Sequence, residues 1–267
     1  MLECVVNVSE GRDPTTLAAL AAAAGPDLLD VHTDADHHRS VLTLVGVEAP
    51  RRVATVAIER IDLATHDGVH PRLGAVDVVP FVPLDGSTLD DALRARDHLM
   101  TWLADEHQVP SFRYGPERSL PEVRRRAFRD LLPDRGPPRP HPTAGATCAG
   151  ARPVLVAFNV WVDDLGVPEA RRVASAIRRP ALRTLGLAVG DRVQVSMNLV
   201  APDELGPDAA YDLVVDQLGG RGSGVRAELV GLVPRRVLDA VDPARWEQLD
   251  LGPDRTIEAR LAARPRA

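Results

Sequence analysis

The stretch Asp67-Gly68-Val69-His70-Pro71-Arg72-Leu73-Gly74-Ala75-Val76-Asp77-Val78-Val79-Pro80-Phe81-Val82 joins a polar, glycine-punctuated loop to an almost wholly apolar run. Such a run reads as a central strand, buried on both faces. Gly68 and Gly74 let the backbone take conformations closed to other residues, so that a ligand can approach the main chain. Pro71 pushes His70 toward an extended conformation and removes one backbone donor. The imidazole is therefore presented from a loop at the entrance to a strand. It can take or give a proton near neutral pH, and Arg72 can grip a carboxylate with two hydrogen bonds. The same residues also suit a polar loop whose histidine caps a strand.

Working outward, residues 3–8 form a short β-branched strand. Asp13, Thr15 and Thr16 can cap a helix over 17–24, which Gly25-Pro26 stops. Residues 28–31 and 40–46 read as strands, and Pro50 opens a helix over 51–63. With the strand at 76–82 the order is β-α-β-β-α-β, the split unit of the ferredoxin-like fold. A helical insertion follows: a helix from Thr88 to about His107, a strand at 111–114, and a helix over 120–131. Arg124, Arg125, Arg126 and Arg129 coat that last helix and read as a solvated face. Residues 132–145 hold Pro133, Pro137, Pro138, Pro140 and Pro142, which predicts a stiff connector and a domain boundary.

The second half repeats the order, with strands at 154–162, 185–189, 193–200 and 227–232 and helices at 167–178 and 207–217. The expectation is an α+β chain of two tandem ferredoxin-like subdomains, 1–145 and 146–267. They share an order of elements, not residues. From Pro234 the tail reads as short helices and an arginine-rich end.

At 267 residues, 45% hydrophobic and 26% charged, the chain can bury a real core. Aromatics make up only 3%, so aliphatic side chains must fill it. A formal net charge of −6 argues against a nucleic-acid protein. All 32 basic residues are arginine, so any anion site must use arginine, histidine, backbone N–H groups or helix ends. Two cysteines, Cys4 and Cys148, suit a reduced compartment better than a disulfide scaffold. There is no leader pattern and no apolar run of about 18 residues, which leads us to expect a cytoplasmic, non-membrane protein. No GxxxxGK[ST] loop is present, and the glycines at 219–224 follow a helix and precede a strand, the reverse of a dinucleotide loop.

The run from Gly68 to Pro83 resembles the signature of the formiminotransferase family. Five further pieces agree in order: Glu3-Cys4-Val5 with Asn7-Val8-Ser9-Glu10-Gly11-Arg12; Arg39-Ser40-Val41 with Val45-Gly46; Gly145-Ala146-Thr147 with Gly150-Ala151-Arg152; Ala157-Phe158-Asn159; and Leu229-Val230-Gly231-Leu232-Val233-Pro234. The resemblance implies transfer of a formimino group between N-formimino-L-glutamate and N5 of tetrahydrofolate, a step of histidine degradation and one-carbon metabolism. It also implies a homodimer, and a site in a cleft between subdomains. His70 would be the general base and acid.

Asp36 and Arg39 match the family pattern in the turn between two strands; His38 departs from it. Arg72 and Gly74 belong to the signature itself. The folate-contacting segment falls on 136–145, where Gly136, Pro137, Pro142 and Gly145 match and Arg139, His141 and Ala144 depart. Arg152 would add positive charge for substrate carboxylates. Asn159 and Asn198 are amides inside apolar strands; each must be hydrogen-bonded, to loop backbone or to ligand. His32, His37 and His38 beside Asp30, Asp34 and Asp36 are a metal-ligand palette. They lack a recognisable ligand spacing, and no metal is expected. Tetrahydrofolate enters as co-substrate only. A folate-binding protein without turnover, or formyl transfer from N-formyl-glutamate, are the alternatives.

Overall fold

The computed structural model describes residues 1–264. The chain divides into two compact units, Met1–Pro153 and a second beginning at Val154. In the first, β1 (Leu2–Val8), α1 (Pro14–Ala24), β2 (Leu28–Asp34), β3 (Arg39–Val45), α2 (Ala49–Arg60) and β4 (Val76–Pro83) follow in order. The strands lie β2-β3-β1-β4, each antiparallel to its neighbours, which is the split βαββαβ arrangement. Asp13 starts α1 by accepting the N–H groups of Thr15 and Thr16 at 3.0 and 3.1 Å. Helix α2 ends at Arg60, short of the expected 63, because Ile61 turns extended and Asp62 caps a separate turn at Leu63–Thr65.

The insertion extends this sheet. Thr88 and Asp91 form a capping box at the start of α3 (Leu89–His107), which leads to β5 (Ser111–Tyr114) and α4 (Leu120–Arg126). Helix α4 stops well before residue 131; Phe128 beyond it takes a left-handed φ of 60°. The chain then returns as β6 (Thr147–Ala151), between β4 and β5 and parallel to both. Sequence reasoning does not find β6. Thr-Cys-Ala-Gly-Ala has little strand propensity, and its small residues answer a packing demand: a Cβ on Gly150 would lie 2.3 Å from the Tyr114 ring.

The proline-rich segment is not a free connector. Arg135 bridges to Ser111, the Ala75 N–H donates to the Ala144 carbonyl, and the Ala146 N–H donates to the Leu73 carbonyl. The boundary therefore falls between Pro153 and Val154, not between 145 and 146. A strand hydrogen-bonded on both sides belongs to its sheet, whatever precedes it.

The second unit runs β7 (Val156–Asp163), α5 (Val167–Ile177), β8 (Leu182–Val189), β9 (Arg192–Leu199), α6 (Pro207–Leu218) and β10 (Ser223–Val230). Its order β10-β7-β9-β8 is again antiparallel and again the split unit. Short helices α7 (Arg235–Asp239) and α8 (Ile257–Ala262) follow. Each unit has its own aliphatic core: Cys4, Val6, Leu20, Leu42, Val53 and Phe81 in the first, Phe158, Val173, Ile177, Val195, Met197 and Val214 in the second. A smaller cluster of Val78, Phe112, Tyr114, Val123 and Cys148 packs with α4 residues in the first unit. No helix among the described residues is long and apolar enough to cross a membrane.

Gly74 and Gly145 pair where the loop before β4 meets the end of the proline-rich segment. Gly145 has φ +68°, and a Cβ there would lie 2.2 Å from the Leu73 carbonyl oxygen. Gly145→Ala should therefore lose more than about 2 kcal/mol of stability, since a backbone clash adds to the left-handed penalty. Gly219→Ala has a similar φ of +58°, in the left-handed region, with no atom nearer than 4.0 Å to the added Cβ, and should lose only about 1–2 kcal/mol. Denaturant unfolding of both variants separates the two terms; equal losses would mean that the close approach carries no energy.

Candidate active site

The site starts from a β-bulge. Asn7 pairs with Val78 and Val8 with Val76, so Asp77 is an extra residue with no partner on β1. Bulges re-aim side chains, often beside functional sites. Here the bulge sets a carboxylate inside an otherwise apolar strand, with Asp77 fully buried. Its Oδ1 accepts the Leu73 N–H at 2.7 Å. Its Oδ2 accepts Arg39 Nη1 at 2.7 Å and Arg124 Nη2 at 2.6 Å. Burial pushes the carboxyl upward, but the two guanidiniums and the Leu73 N–H outweigh it and hold Asp77 below its ordinary range. Removing one partner of such a buried pair costs about 3–5 kcal/mol.

Arg39 opens β3. Its Nε and Nη2 donate to Asn7 Oδ1 at 3.2 and 2.6 Å, so the amide on β1 aims the guanidinium. From sequence, the arginines of α4 read as solvated. Arg126 does pair along its own helix with Glu122 and with nearby Asp130. Arg124 instead turns inward, giving Nη2 to Asp77 and Nη1 to the Pro71 carbonyl at 2.6 Å.

His70 is half-buried beside this network. Its Nδ1 lies 2.8 Å from the Pro71 carbonyl oxygen and 3.1 Å from Arg39 Nη1. A carbonyl only accepts and a guanidinium only donates, so a proton on Nδ1 meets the first and leaves the Nε2 lone pair bare, while a proton on Nε2 meets the second. Burial, Arg39 and Arg124 push the imidazole down to about 2, against a weaker upward pull from Asp77. The ring is a neutral base-form histidine in cationic surroundings.

The β2–β3 turn is tied to the loop before His70. Gly11 N–H donates to His38 Nδ1 at 3.1 Å, and the His38 carbonyl accepts His66 Nε2 at 3.0 Å. The two rings stack with centroids 4.2 Å apart, and burial lowers the proton affinity of both. His38 holds a left-handed φ of 49°, where asparagine is also at ease. The buried His37 ring lies 5.7 Å from that of His70. Among the described residues, no group of three or more His, Cys, Asp or Glu is placed to hold a metal ion.

Arg39, Gly74 and Gly145 thus meet around the His70 loop, with His38 behind it. Arg72 belongs to the loop but turns Nη2 onto the Gly68 carbonyl. Asp36 and Pro142 are exposed turn residues. Gly136 and Pro137 line a surface depression at the end of α3 with Thr101, Ala104, Gln108 and Arg135. Arg152 donates its N–H to Phe81, toward the far end of β4 from Asp77. Asn159, in the second unit, gives its amide to Glu228 at 2.9 Å, and the Trp161 indole donates to the same oxygen at 2.8 Å. Asn198 is exposed on β9. Sequence reasoning missed Asn7, His66, Asp77 and Arg124 as parts of the site. Only Asp77 left a direct signal, as a charge inside an apolar strand.

The family model described as "Formiminotransferase domain, N-terminal subdomain" matches residues 1–152. Glutamate formimidoyltransferase of Streptococcus pyogenes serotype M1 is 35% identical over 92% of this chain and 92% of its own length. The protein of the same name from Thermoplasma acidophilum is 34% identical over 92% of this chain and 91% of its own. Formimidoyltransferase-cyclodeaminase of Sus scrofa is 32% identical over 89% of this chain, which spans 51% of that longer protein. Matched by the family model over residues 1–152 and by such relatives over nearly its whole length, the chain belongs to the formiminotransferase family.

Proposed function

We propose that this chain is a glutamate formimidoyltransferase, moving a formimino group between N-formimino-L-glutamate and N5 of tetrahydrofolate, with His70 as the group that carries the proton. Two things support the reading. The relatives matched along nearly the whole chain are named for this activity. The site also offers a neutral imidazole whose Nδ1 is tied back to a carbonyl, so that Nε2 can accept.

Transfer requires the acceptor nitrogen to attack the amidine carbon, lose a proton, and expel the glutamate nitrogen with a proton added. His70 Nε2 takes the first proton and supplies the second, so the imidazole ends the cycle neutral. Positioned acid–base catalysis of this kind is worth roughly 10²–10⁴ in rate. The buried network holds two guanidiniums against one carboxylate and so carries a net positive charge. A donor with two carboxylates brings the opposite sign. Its arrival offsets Arg39 and Arg124 and raises the proton affinity of His70, making it a better base only in the complex.

His70→Ala should fold as the parent does and lose transfer by about 10²–10⁴-fold. A purified variant keeping more than a tenth of parental turnover with both substrates saturating would remove His70 from this role. In the free protein, His70 stays unprotonated as pH falls through 6.5, because its proton affinity is lowered. Its acid limb in kcat/KM should therefore lie well below 6.5, and the limb in kcat, which reports the complex, should lie at higher pH than that in kcat/KM. A kcat/KM profile that falls with a midpoint near the ordinary histidine value of about 6.5 would contradict this arrangement. Dialysis against a chelator should leave turnover unchanged; loss restored by one divalent metal would make the histidine-rich turn a metal site.

A further inference from the structure

Two groups compete for one ring nitrogen. His70 Nδ1 lies 2.8 Å from the Pro71 carbonyl, which can only accept, and 3.1 Å from Arg39 Nη1, which can only donate. A neutral imidazole satisfies one of them at a time. With Nδ1–H donating to the carbonyl, Nε2 is a base. With Arg39 donating to Nδ1, the proton sits on Nε2 and the ring can only offer it.

Arg124 acts on the first partner. Its Nη1 donates to the same Pro71 carbonyl and its Nη2 to Asp77 Oδ2, each at 2.6 Å. The fork thus ties the carbonyl to a buried anion. Oδ2 also receives one N–H of Arg39 Nη1 at 2.7 Å, which leaves the second N–H of that group as the competitor for Nδ1. We propose that Arg124 is a positioning residue for His70: by clamping the Pro71 carbonyl against Nδ1 it selects the tautomer that leaves Nε2 able to accept a proton. The effect on turnover rests on His70 being the base; the effect on the tautomer does not. The charged and titratable groups facing the ring are Arg39 from β3, Arg124 from α4, Asp77 from β4 and His37 from the β2–β3 turn. With two of them cations, the ring is neutral at neutral pH, where its tautomer can be read directly.

The test is nitrogen NMR of the intact, histidine-labelled protein at neutral pH, with His70 assigned by its absence in His70→Asn. The parent protein should show a protonated Nδ1 and a bare Nε2. Arg124→Gln should shift the ring toward the Nε2-protonated form and lower kcat by about 10²–10⁴. Arg124→Met is a second neutral variant that keeps the stem packed should the glutamine variant fail to fold. Arg124→Lys keeps the charge but not the fork, and should leave the tautomer mixed. A parent ring protonated on Nε2, an unchanged tautomer in the neutral variants, or full rescue by lysine would overturn the proposal. A shifted tautomer with unchanged turnover would uphold the clamp and remove His70 as the base.

Discussion

A carboxylate sealed from water stays ionised only if cations come with it, and Asp77 draws two arginines from different parts of the chain. One stands at the start of β3, the other on α4, with sequence separations from Asp77 of 38 and 47 residues. The pairing therefore pins the inserted helix to the βαββ core and fixes the loop that carries His70. The same ions that satisfy Asp77 also surround the imidazole, so a requirement of folding becomes the electrostatic setting of the site. The bulge on β4 makes this possible by taking Asp77 out of register with β1.

The loop itself is held from several sides. Ser9 donates to the Gly74 carbonyl at 2.8 Å, and residues 144–146 pair with residues 73–75. Behind it, His66 and His38 stack and exchange hydrogen bonds with neighbouring backbone. Groups that must present a ring within a few tenths of an ångström need such a supporting layer. Asn7, Asp77 and Arg124 supply it here, more than the residues beside His70 in sequence.

The two units show how one topology is used twice with different content. Both have the split βαββαβ order, yet only the first adds strands beyond its fourth. The added strand β6 brings the end of the proline-rich segment to the His70 loop through the Gly74–Gly145 bridge. In the second unit the buried amide of Asn159 and the indole of Trp161 converge on Glu228 instead, a polar network built within its own sheet.

Periodicity and punctuation determined a great deal unaided. The apolar run at 76–82, the capping residues Asp13 and Thr88, and the proline starts of α2, α5 and α6 are local signals, and they led to the element order and the doubled fold. The signature around His70 is contiguous, so it too could be read. What needed tertiary structure was everything set by contacts far apart in sequence. Strand β6 has weak propensity and exists because β4 and β5 offer edges on both sides. The bulge at Asp77 depends on register with β1, which no local pattern states. Arg124 looks like its neighbours Arg125 and Arg126 in the sequence; only the approach of α4 to a buried anion separates a binding guanidinium from a solvated one. Local energies choose the elements, but a buried charge chooses its partners through space.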